Sequence, residues 1–275
     1  MFRFARRRPQ PTKSFHLDRR GFLGLAAGSV ITIGCASHAD DAPGMLGGGG
    51  GGGGKADNVI FDENGVCLSG ATGDDVLGPY WTNNIRQTSQ LASPTQAGQR
   101  MTLMGHVFAR DCVTAIPGAL VVAWQADDDG LYDYNHAGLN QGSSQGQLST
   151  ADTMLRGYVA TSTAGTFSFD TIVPSEYPLN LLDPANSAYR APHVHFAVFW
   201  TDRFNTRHQL VTQMYFSPND LIKTIVPEID SLNANDGGAS IAEASRFIEI
   251  AGATSAIWHG QFDIVLDVAP QLIPS

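Results

Sequence analysis

His193 and His195 stand one residue apart in the stretch "RAPHVHF", residues 190–196. Side chains at i and i+2 of a β-strand leave the same face, about 6–7 Å apart along the backbone. Two imidazoles at that spacing can converge on one metal ion. In "HVHFAVFW", His193, His195, Ala197 and Phe199 share one face, and Val194, Phe196, Val198 and Trp200 share the other. A strand that is apolar on both faces is covered on both sides, and buried imidazoles need partners. Hydrogen bonding in the core and metal ligation meet that need equally well. Two tyrosines extend the set. Tyr132 lies in "WQADDDGLYDY" (124–134), past a strand end and a tight turn, and Tyr177 lies in "FDTIVPSEYP" (169–178), ahead of the histidine strand. Alone, the first reads as a surface turn residue and the second as a strand-end cap. "ADDDG" reads as a solvated turn.

The elements that must position these residues are strands. Segments 101–109, 118–126, 156–162, 166–172, 193–200, 208–216 and 260–267 are rich in β-branched and aromatic residues, with Gly, Pro, Asp and Asn between them. Helical periodicity is weak, and "GASIAEASRFIEI" (238–250) is the best helix candidate. Many short strands without alternating helices predict an all-β protein, here an antiparallel β-sandwich with long loops and little helix. Residues 135–154 are long enough to act as a lid near the tyrosines. His106, His136, His208 and His259 have no motif around them and read as structural or exposed.

The chain has 275 residues, 43% of them hydrophobic, and a formal charge of −9. Residues 1–34 hold seven of the 17 basic residues and one of the 26 acids. The remainder therefore carries 10 basic and 25 acidic residues, a net of −15. A body that acidic repels phosphate backbones, so nucleic acid is not an expected partner. Arg19-Arg20 followed by Gly-Phe-Leu resembles a twin-arginine export motif, and the apolar run Gly21 to Gly34 is too short and glycine-rich for a membrane span. "TIGC" ending at Cys35 resembles a degenerate lipoprotein cleavage site, with Thr32 where leucine is usual, which would anchor the protein to a membrane. The organisation read from this is a signal over 1–35, a flexible tether over 36–60 containing the glycine run 47–54, and a folded domain over 61–275. Periplasm or cell surface is the expected location. Cys67 and Cys112 read equally as a disulfide in an oxidising compartment or as two buried thiols.

Five short motifs occur in a fixed order: "LGPYW" (77–81), Gly130-Leu-Tyr132, Pro174-Ser-Glu-Tyr177, Arg190-Ala-Pro-His193-Val-His195 and "LVTQMYF" (210–216). In this order they resemble the intradiol ring-cleavage dioxygenases, the family of catechol 1,2-dioxygenase and protocatechuate 3,4-dioxygenase. The resemblance covers roughly residues 70 to 267. It implies non-haem Fe(III) held by Tyr132, Tyr177, His193 and His195, with Tyr177 and His195 axial. Two phenolates and two neutral imidazoles suit ferric rather than ferrous iron. It also implies that Tyr177 leaves as a base when a catechol arrives. Arg190 and Gln213 then stabilise negative charge on the ring, and Tyr80 lines the pocket. Catechol-type molecule and O2 become a cis,cis-muconate-type diacid. Tyr177 follows Tyr132 by 45 residues and precedes His193 by 16, wider than usual for the resemblance. Two rival functions remain. His-Val-His also occurs in copper–zinc superoxide dismutases, a role that needs two further histidine ligands and leaves both tyrosines unexplained. A non-catalytic surface-binding β-sandwich would look similar.

Overall fold

A computed structural model describes residues 67–137, 148–149, 151, 153–252 and 255–274, all within one compact unit, Ala56–Ser275. The Arg19-Arg20 signal, Cys35, the glycine run and residues 138–147 of the expected lid lie outside the described residues.

Among the described residues, twelve strands follow in chain order: β1 (Arg100–Phe108), β2 (Leu120–Gln125), β3 (Arg156–Ala160), β4 (Thr166–Ile172), β5 (Tyr177–Pro178), β6 (Tyr189–Arg190), β7 (His193–Thr201), β8 (Arg207–Phe216), β9 (Phe247–Ile248), β10 (Ile250–Ala251), β11 (Trp258–Gln261) and β12 (Ile264–Val265). The short helices α1 (Asp133–His136) and α2 (Ile229–Asn235) interrupt them. One five-stranded sheet runs β10-β11-β1-β12, with β4 also paired to β1; the other runs β3-β2-β7-β8-β9. β5 and β6 form a separate two-stranded ribbon.

The sheets are mixed, not purely antiparallel. β1 pairs parallel with β11 and β12, and β8 pairs parallel with β9. Parallel pairing needs only a chain that returns from the far end, and residue alternation carries no sign of direction. The expected helix over 238–250 is also absent. Short 3-10 turns occupy Ala239–Ile241 and Ala244–Arg246, and β9 and β10 follow. Tertiary partners override the periodicity here. The Asp236 carboxylate takes the Gly238 and Ala239 amides at 2.7 and 3.0 Å, and Arg246 is drawn to Asp75 at 2.5 Å.

Both sheets feed one core. Val121, Ala123, Val194, Phe196, Val198 and Met214 from one join Leu103, Val107, Phe167 and Phe169 from the other. Phe196 meets Phe167 at 6.0 Å and Phe262, between β11 and β12, at 5.1 Å between ring centroids. Cutting such a fully buried ring to alanine generally costs about 3–5 kcal/mol. The even-numbered face of β7 is therefore committed to the core, which leaves the histidine face for other use. Cys67 and Cys112 form a disulfide with Cα atoms 5.8 Å apart, closing a loop of sequence separation 45. A loop of that size contributes roughly 2–4 kcal/mol by limiting the unfolded chain.

Candidate metal centre

Strand register builds the first half of the site. Trp124 of β2, His195 of β7 and Gln213 of β8 are direct cross-strand neighbours, and Tyr215 sits opposite His193. All five side chains occupy the face away from the core. The Trp124 indole stacks on the His195 ring at 4.7 Å and 7°. Gly78, at φ +73°, packs close to that ring, where an added Cβ would come within 3.0 Å of His195 Cε1. His195 is therefore held by a stacked indole and by a close backbone contact that only glycine can supply.

The tyrosines arrive from two loops. After β2 the chain turns on the Asp127 carboxylate, which accepts the Asp129 and Leu131 amides at 3.0 and 2.8 Å and meets His136 Nε2 at 2.6 Å. Asp127 is buried, so "ADDDG" is an internally bonded turn and not a merely solvated one. Gly130, at φ +73°, packs directly on the Glu176 carbonyl, leaving no room for a Cβ. That close approach brings Tyr132 beside Tyr177, with ring centroids 5.5 Å apart at 87°. The Tyr132 amide donates to Asn135 Oδ1 at 2.8 Å, and the next residue, Asp133, forms a fully buried ion pair with Arg156. Arg156 also donates to the Tyr80 carbonyl at 3.0 Å, and the Tyr80 ring stacks on Tyr132 at 4.2 Å and 13°.

The four expected donors are thus brought together. Tyr132, Tyr177, His193 and His195 are each 1–3% exposed. The two imidazoles face each other through Nε2 atoms 3.1 Å apart, and the Tyr177 ring centroid lies 5.6 Å from that of His193. Nitrogens about 2.0–2.1 Å from one ion and at roughly a right angle sit about 3 Å apart, so this pair is spaced to share an ion. His193 Nδ1 lies 2.6 Å from the Ala191 carbonyl, which fixes that nitrogen as the protonated donor and leaves Nε2 a free lone pair. Tyr132 Oη and His195 Nδ1 have no hydrogen-bond partner among the described residues. Leaving a buried hydroxyl unpaired costs about 1–3 kcal/mol, a cost that ligation removes. The residues therefore fit a metal ion. Among the described residues, no group of three His, Cys, Asp or Glu side chains gathers to hold one. The further histidines of a copper–zinc site are not at hand, and the phenol oxygens must complete any donor set.

Burial dominates the electrostatics. It pushes His193 down to about 4, helped by the Arg190 charge, and holds His195 well below its usual value, helped by His193. Both imidazoles are neutral donors at pH 7. Burial also raises Tyr177 to about 12 against the opposing pull of Arg190, and lifts Tyr132 far above 10.

Arg190 spans the site's edge. Its Nε donates to Asp236 Oδ2 at 2.6 Å, Nη2 to Gln213 Oε1 at 2.8 Å, and Nη1 approaches Tyr177 Oη at 3.4 Å. Gln213 is engaged at both ends, since Nε2 donates to Asp75 Oδ1 at 3.2 Å and to the Val76 carbonyl at 3.0 Å. Burial works against charge on Asp236, but the Arg190 bond and charge outweigh it and hold the carboxyl below its usual range. Arg156 and Arg246 are likewise paired, with Asp133 and Asp75. Sequence reasoning named the four side chains gathered here as expected donors, together with Arg190, Gln213 and Tyr80. It missed Trp124, Tyr215, Asp75, Asp133, Arg156 and Asp236. The i+2 rule applied to Gln213 would have found Tyr215. Of the histidines without a motif, His106, His136 and His208 pair with Asp263, Asp127 and Asp202.

Comparison with known proteins places this arrangement. A family model described as "Dioxygenase" matches residues 76–267. Hydroxyquinol 1,2-dioxygenase of Rhizobium sp. (strain MTP-10005) is 27% identical over 210 residues, 72% of this chain and 65% of that protein. An intradiol ring-cleavage dioxygenase of Aspergillus niger is 26% identical over 193 residues, 64% of this chain and 58% of that one. The chain spans between 46% and 65% of the length of the curated relatives it matches. Among solved structures, the dioxygenase domain of a carbohydrate-binding fusion protein from Streptomyces sp. SirexAA-E is 26% identical with a TM-score of 0.51, covering 72% of this chain and 99% of that one.

Proposed function

This chain belongs to the intradiol ring-cleavage dioxygenases, and we propose that it opens a catechol-type ring between its two hydroxyl-bearing carbons with O2, giving a cis,cis-muconate-type diacid. One observation carries the proposal. Three separate segments bury two phenols and two imidazoles together, with paired Nε2 atoms 3.1 Å apart and a Tyr132 oxygen that has no hydrogen-bond partner among the described residues. Tyr132, Tyr177, His193 and His195 would hold ferric iron, whose charge two phenolates offset in a poorly solvated cavity. When bound, ferric iron supplies a chelating Lewis acid that makes the catechol's ring electrons available to O2.

The chain's own residues do the rest. Tyr177 Oη, reached by Arg190 Nη1 at 3.4 Å at the site's edge, would take a proton from the incoming diol. Arg190, next to Tyr177 Oη, faces the charge that grows on the ring as oxygen attacks. Gln213 acts through Arg190, holding Nη2 at 2.8 Å. Tyr80, Trp124 and Gly78 wall the site and exclude water. Protein loaded with ferric iron should consume oxygen with catechol or hydroxyquinol while ultraviolet absorbance of a diacid rises. Absence of oxygen uptake with every simple catechol tried would favour a binding module.

Two wider readings accompany this one. The two sheets face each other as a sandwich, supported by the Phe167–Phe196–Phe262 contacts. The protein is exported, supported by Arg19-Arg20 and by a disulfide of the kind that oxidising compartments maintain. Replacing Arg19 and Arg20 by lysine should trap precursor in the cytoplasm; normal export of that variant would rule out the twin-arginine route. Loss of membrane association in Cys35→Ser would identify a lipid anchor.

A further inference from the structure

We propose that Asp236 is a positioning residue, the group that aims the Arg190 guanidinium at the reacting ring. The proposal rests on the ring-cleavage role given to Arg190 above. Arg190 ends a two-residue strand and carries a long, flexible side chain, so strand geometry alone cannot aim it. Asp236, at the end of α2, is 0% exposed at its side chain against 14% for Arg190. Its Oδ2 accepts Arg190 Nε at 2.6 Å and the Ala191 amide at 2.8 Å. The same oxygen thus fixes both the guanidinium and the backbone two residues before His193. Its Oδ1 is held by the Gly238 and Ala239 amides at 2.7 and 3.0 Å. Four donors on one carboxylate leave it no freedom to turn. Gly238 closes the same cradle, because a Cβ there would collide with Tyr215 Oη and come within 3.0 Å of Arg190 Nη2. With Nε pinned, the two remaining nitrogens of the planar fork reach Gln213 and Tyr177.

Asp236→Asn keeps the volume but sets an amide N–H₂ against groups that are all donors. The guanidinium should swing, and a displaced catalytic group costs on the order of 10²-fold. In iron-loaded enzyme, kcat for catechol should fall about 10- to 100-fold. KM, bound iron and visible colour should remain as in wild type, a split that mere loss of folded protein would not produce. Folded Asp236→Asn with wild-type kcat overturns the proposal. If Asp236→Asn does not fold, Gly238→Ala decides, because it presses on the guanidinium with the carboxylate intact. Loss of kcat there supports the proposal, and wild-type kcat overturns it. A wild-type enzyme that cleaves no catechol would remove the ring-cleavage role instead. Nitrogen-resolved NMR of the metal-free chain then decides: the slowly exchanging Arg190 Nε–H should vanish in Asp236→Asn, and its persistence overturns the positioning role.

Discussion

Arg190→Ala should lower kcat for ring cleavage by roughly 10²–10³-fold while the protein keeps its iron, its colour and its ability to bind catechol. The reason lies in where the guanidinium stands. It cannot ligate a metal, because it offers only N–H groups, and among the four expected donors it reaches Tyr177 Oη, at 3.4 Å. In the proposed reaction its charge is needed when electrons move onto the ring and the attacking oxygen. An interaction stronger in the transition state than in the ground state appears in kcat and kcat/KM, not in binding. Loss of one preorganised donor typically costs about 2.7–4 kcal/mol. Steady-state oxygen uptake by variant and wild type at equal iron content checks it. Equal turnover would remove Arg190 from the chemistry while leaving the family assignment intact.

Tyr132→Phe should weaken iron binding by about 10²-fold or more, since groups that merely orient a ligand already cost about 10–100-fold when lost. Tyr132 Oη is fully enclosed and has no hydrogen-bond partner among the described residues. Phenylalanine therefore breaks no protein contact and keeps the stack on Tyr80 at 4.2 Å. The fold should be unharmed or slightly steadier in the metal-free state, since an unpaired buried hydroxyl is removed. Wild-type protein should be red-brown from phenolate-to-iron charge transfer, and the variant should lose or shift that band. Full iron content and unchanged colour in Tyr132→Phe would show that its oxygen is not a ligand.

Much of the strand pattern was legible because alternation is a local signal. The histidine strand, expected over 193–200, runs His193–Thr201, and segment 101–109 forms Arg100–Phe108. Strand direction was not legible. Nor was the break of 260–267 into β11 and β12, where Asp263 turns aside to accept the His106 amide at 2.8 Å. The gathering of the four expected donors was legible for a related reason. A glycine that must touch a carbonyl, or two histidines on one face, leave short motifs. Asp236 left none, since it meets Arg190 from 46 residues away and stands in an Asp-Gly-Gly run that looks like ordinary turn chemistry. Asp133 and Arg156 were hidden in the same way, by a pairing 23 residues apart that only folding creates. Polar residues that orient a site come from wherever the fold brings them, so sequence spacing does not announce them.

The most direct test of intradiol cleavage is the mass of the product formed from catechol under ¹⁸O₂ by iron-loaded protein. Insertion between the two hydroxyl-bearing carbons predicts a colourless cis,cis-muconate-type diacid carrying label from the O2 consumed. A yellow semialdehyde, an unlabelled quinone or unchanged catechol would contradict the account.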